Sequence, residues 1–114
     1  MKKLLLLPLL FLTSMANAAW LDTQGKVTRL ITYAGHDTIP VTLDTAGTDV
    51  SECSNKADFV ISQSISPEGR ARMYAYLLAA KTTGSLVTLS YNHQNSCEPW
   101  DANPAAYRKI MRLQ

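Results

Sequence analysis

Alternation of apolar and polar positions marks strands along much of the chain. Lys26 to Tyr33 alternates, is rich in β-branched and aromatic residues, and stops at Ala34-Gly35-His36-Asp37, which predicts a first strand and its turn. Thr38 to Asp44 alternates again, with Ile39, Val41 and Leu43 on one side. Pro40 lacks an amide hydrogen and points to an edge or irregular pairing in what should be a hairpin with the first strand. A polar loop then runs from Ala46 through Cys53 to Lys56, after which Asp58 to Ser64 reads as a third strand. Ser85 to Tyr91 predicts a fourth and Ala106 to Leu113 a fifth, with a long loop, Asn92 to Ala105, between them.

One segment has helical spacing. Ser66 is a good N-cap, Pro67 suits the first helical position, and Glu68 places negative charge at the positive end of the helix dipole. Gly84 supplies the stop. Met73, Tyr74, Leu77 and Leu78 follow the spacing of one apolar face and predict the side that meets the core. Arg72, Ala75, Tyr76 and Ala79 fall on the other side, where small residues would let another helix come close; plain helix propensity explains the alanines equally well.

The apolar run Leu4 to Leu12 is of a different kind. It follows Met1-Lys2-Lys3 and precedes Ala16-Asn17-Ala18, a small-x-small cleavage pattern, so residues 1–18 read as a secretory signal of bacterial look. The run is far below the ~20 residues that span a bilayer, so no membrane anchor is expected and the mature chain should begin at Ala19, in the periplasm or outside the cell. Residues 19–114 suffice for a single small domain. Loss of Lys2 and Lys3 takes the formal charge from +2 to zero. A neutral domain gives no support for nucleic-acid binding or for an anionic membrane tether.

Export places Cys53 and Cys97 in an oxidising compartment, where they are expected to pair. The rival reading, a metal site completed by His93, falls short of a closed tetrahedral set, and no metal or cofactor is expected. Three strands, a capped helix and two further strands is the element order of an OB-fold, a mainly β, five-stranded small barrel with its helix between strands three and four.

With this order and the helix Arg72 to Gly84, the chain resembles the B subunits of pentameric bacterial toxins, most nearly the subtilase-cytotoxin and typhoid-toxin type. The resemblance spans Trp20 to Leu113. It implies a ring of five copies with helices lining the pore, an outer surface that recognises sialylated glycans, and a toxin A subunit or other exported protein as partner. The sugar-contacting serine of that family has no counterpart in Thr23-Gln24-Gly25-Lys26.

On an OB-fold, ligands commonly meet the loops after the first and fourth strands. Those loops carry the candidate ligand-binding residues His36, Asp37, Asn92, His93, Asn95 and Trp100, with Glu98 and Asp101 nearby. Amides and carboxylates can hydrogen-bond sugar hydroxyls, and an aromatic plane can stack on a sugar's apolar face. The competing reading is that the asparagines satisfy turns, that Trp100 and Trp20 cover the barrel, and that Asp101 to Pro104 is an ordinary turn. No nucleophile elbow, phosphate loop or paired-histidine motif is present, so no catalytic residue is assigned and no enzyme is expected. An oligonucleotide groove would need Arg29, Arg108 and Arg112 with Tyr33 and Tyr107, and neutrality argues against it. The alternative to a glycan-binding ring is a periplasmic interaction or inhibitor protein.

Overall fold

A computed structural model describes residues 20–114. The expected signal segment and its cleavage point lie outside the described residues. The elements are β1 (Trp20–Leu30), β2 (Ile39–Leu43), β3 (Asp58–Ile61), α1 (Pro67–Thr83), β4 (Leu86–Asn92), β5 (Cys97–Trp100) and β6 (Asn103–Leu113). The protein is mainly β, with one helix and one sheet of six strands in the order β3-β2-β1-β4-β6-β5. Five pairings are antiparallel; β3 and β6 pair in parallel through Phe59 opposite Arg108 and Val60 opposite Lys109. That last pairing closes β1, β2, β3, β6 and β4 into a ring of strands, with β5 attached outside it along β6.

Two sequence expectations are corrected. β1 begins at Trp20 and ends at Leu30, because Asp22 to Gly25, poor in strand-forming residues, pairs along β4 from Ser90 back to Val87. The segment expected as loop contains β5, which makes a hairpin with β6 despite Pro99. There are therefore six strands, one more than expected.

The helix begins and ends as its caps dictate. Ser66 Oγ accepts from the Gly69 amide at 3.1 Å, Pro67 opens the helix, and Gly84 closes it at φ 69°, a left-handed conformation glycine adopts without penalty. The buried line runs through Leu77 and Ala80, with Met73 and Tyr74 half-buried against the core. Leu78 is instead 44% exposed, since a residue one step beyond Leu77 turns 100° toward solvent. The core it covers comprises Val27, Val41, Phe59, Ile61, Leu89 and Ile110.

The connection from Asp44 to Ala57 has little regular structure and is held by specific contacts. Cys53 is disulfide-bonded to Cys97, as expected. Arg108 is fully buried. Its guanidinium donates to the carbonyls of Ala46 (2.7 Å), Thr48 (3.1 Å) and Asp58 (3.2 Å) and lies 3.9 Å over the Phe59 ring. Burial lowers its pKa from the ordinary value, opposed by Tyr91, Asp49 and Asp58. It stays charged, because an arginine does not deprotonate in a folded protein. Tyr91 Oη donates to the Thr48 carbonyl at 2.9 Å, and Gly47 passes so close that an added Cβ would meet Thr23 Oγ1 at 2.4 Å.

Candidate functional site: an aromatic platform

Two tight turns bring four rings together. Between β1 and β2 the chain reverses at Tyr33 to His36, where the His36 amide donates to the Tyr33 carbonyl at 3.3 Å. This sets the two rings edge to face at 6.1 Å. Between β5 and β6 the reversal is Asp101-Ala102, with Trp100 opposite Asn103. Asp101 has φ 51°, a left-handed conformation that aspartate tolerates better than most residues. The turn presents Trp100 to His36, whose rings stack at 4.1 Å with planes 21° apart. Tyr33 meets Trp100 edge to face at 5.3 Å, and Tyr107, on the outward side of β6, does so at 5.7 Å.

A buried hydrogen-bonded cluster links the segments that flank the two turns. Glu98 is 1% exposed and has no cation paired with it among the described residues. Its carboxylate accepts from Thr38 Oγ1 at 2.5 Å, Ser62 Oγ at 2.6 Å and the Gln63 amide at 3.0 Å. A buried carboxylate needs such donors to replace water. Thr38 lies just beyond His36 and Glu98 just before Trp100, so the hydrogen bond between them sets the spacing of the stack.

Charge at the rim is modest. His36 Nε2 lies 3.7 Å from Asp101 Oδ1, an exposed contact worth little to stability but well placed for an incoming polar group. The Tyr107 hydroxyl has its pKa raised, chiefly by burial and then by Asp58 and Tyr33, with Arg29 acting the other way. It therefore stays a neutral donor and acceptor at physiological pH.

The six sequence candidates do not form one site. His36 and Trp100 come together. Asp37 turns to α1, its Oδ2 3.7 Å from Arg70 Nη2. Asn92 sits in β4 opposite Trp20, at the start of β1, whereas Tyr33 and His36 lie beyond its end. His93 is exposed in the turn that follows. Asn95 is held by its own amide, which donates to Glu52 Oε1. From sequence, Tyr33 closes the first strand and Tyr107 lies in the last; alternation along β6 places Tyr107 outward, but its alignment with Trp100 depends on the β5–β6 register. Arg108, which an oligonucleotide groove would need at the surface, is buried, with carbonyls of the 44–57 connection on its guanidinium.

The helix residues Arg72, Ala75, Tyr76 and Ala79 are all exposed. Tyr76 and Ala79 border a depression of about 250 Å³ with Leu86, which is 57% exposed. Among the described residues no cluster of three or more His, Cys, Asp or Glu could hold a metal ion, and no helix is long and apolar enough to cross a membrane. Compared with known proteins, the chain matches no family model, no curated protein and no solved structure.

Proposed function

We propose that this chain is an exported, non-catalytic binding module of OB-fold type that recognises glycans and works as a ring of copies. The observation that carries the reading is the His36–Trp100 stack, edged by Tyr33 and Tyr107 and rimmed by Asp101. Aromatic planes beside a carboxylate and a phenol match what a sugar offers, an apolar face of C–H groups and a rim of hydroxyls. The OB-fold assignment draws support from the closed strand order, with its parallel β3–β6 contact and its helix between β3 and β4. The exposed side of α1, where Tyr76 and Leu86 leave apolar surface in water, supports self-association. That same surface favours the second reading, an interaction or inhibitor protein that caps another exported protein.

A panel of immobilised glycans, probed with the protein and with Trp100→Ala, tests the proposal. At least one glycan class should retain the protein and release the variant. Retention of neither by any glycan overturns the glycan reading and leaves the protein-partner reading.

A further inference from the structure

A second concave region shares no lining residue with the aromatic platform and runs along the outward side of β6. Its larger lobe, about 320 Å³, is walled by Ile65, Met73 and Met111 and floored by Ser62 and Ser64. A second lobe of about 300 Å³ is bordered by Glu52 and Asn95. Ser96 and Lys109 line both, so they stand at the junction.

The hydrogen bonds within the groove leave few donors open to a ligand. The Ser62 hydroxyl hydrogen goes to Glu98 Oε1 at 2.6 Å. The 2.7 Å contact between Ser62 and Ser64 must then be donated by Ser64, which uses its hydrogen as well. Ser62 Oγ also accepts from the Ser64 amide, so the floor has no donor to spare. Lys109 is different. It is half-buried, and among the described residues no carboxylate pairs with it. The Ser96 hydroxyl, beside it, likewise makes no hydrogen bond among the described residues. The junction therefore offers a cation and a hydroxyl, next to a lobe of methionine and isoleucine side chains.

We infer that this groove binds a small monocarboxylate with an apolar body, its head on Lys109 and Ser96 and its tail between Met73 and Met111. An ammonium with no carboxylate beside it gains from a carboxylate partner, and the unbranched methionine side chains adapt to a flexible chain. The volume falls at the lower end of small-molecule sites, which fits a ligand of about ten heavy atoms. The second carboxylate of a dicarboxylate of the same length would have to enter the apolar lobe between Met73 and Met111 and lose its water there, so it should bind poorly.

The test is a titration of the oxidised protein with octanoate, followed through the Met73 and Met111 methyl resonances, beside octan-1-ol and octanedioate. Saturable shifts are expected with octanoate, with affinity about tenfold lower for the other two compounds and for octanoate on Lys109→Met. Lys109→Gln, read the same way, serves if the first variant does not fold. Absence of saturable shifts with octanoate, equal binding of octan-1-ol, or unchanged affinity in the lysine variant overturns the inference. The outcome is independent of glycan binding, because the platform residues take no part.

Discussion

Thr38 donates its hydroxyl hydrogen to the buried carboxylate of Glu98 at 2.5 Å, and these two residues lie two positions along the chain from His36 and Trp100, whose rings stack. One buried hydrogen bond thus sets the geometry of an exposed surface. Thr38→Val keeps the shape of the side chain and removes the donor, leaving the buried Glu98 carboxyl group short of one partner. It should destabilise the protein by about 2 kcal/mol in urea denaturation and weaken any ligand of the platform, although residue 38 is itself buried. Full affinity in a folded Thr38→Val protein would mean that the stack holds its geometry unaided.

Arg108 performs the corresponding task for the 44–57 connection. Arg108→Met removes the donor to three carbonyls while keeping much of the volume, and should cost about 3 kcal/mol. Hydrogen exchange should locate the loss first at the amides of Cys53, Ser54 and Asn55, which donate to the carbonyls of Val50, Ala105 and Ala106. Uniform loss of protection would show that Arg108 supports the whole core equally.

Reduction of the Cys53–Cys97 bond frees a loop with a sequence separation of 44. The chain-entropy argument gives a loss of about 4 kcal/mol, which in a domain of this size lowers Tm by roughly 20 °C. Thermal melts of the oxidised protein and of the Cys53→Ala, Cys97→Ala double variant measure it directly.

Tyr107 makes stability fall in alkali. Its folded pKa lies above the ordinary value of 10.0, so above that pH the unfolded chain releases a proton that the folded one retains. The contribution is fully present below pH 10 and is lost as pH rises toward the folded pKa. Denaturant midpoints at pH 9 and above should decline less steeply in Tyr107→Phe than in the native protein.

Self-association has its own readout. Native mass spectrometry of the oxidised protein should give five times the chain mass, and Tyr76→Glu, which puts charge on the exposed side of α1, should give monomers. A monomeric native protein contradicts the ring and directs the search to a different exported partner.

Much of the fold was legible because the local signals agreed. Ser66, Pro67 and Gly84 delimited the helix, and the apolar alternation of Ile39, Val41 and Leu43 marked β2. The cysteine pairing is expected from the export-like N-terminal segment and from there being two cysteines. Where composition and tertiary context disagree, the sequence misled: Asp22 to Gly25 look like loop but have β4 as a partner, and Cys97 to Trp100 contain a proline yet pair with β6. The site was legible only in part. His36 and Trp100 were visible as residue types, but nothing local shows that Glu98, charged and set among loop residues, is buried. Arg108 looked like surface for the same reason, since its three carbonyl partners come from distant backbone.

The most direct test of the central claim uses Trp100 as its own reporter. With Trp20→Phe, the chain keeps one tryptophan of its two, and the emission of Trp100 can be followed as glycan fragments retained by the protein are added. A saturable change in intensity and wavelength is predicted, because a sugar laid on the stack displaces water from the indole. Glycan binding that leaves Trp100 emission unchanged, or no glycan binding at all, would contradict the assignment of this platform.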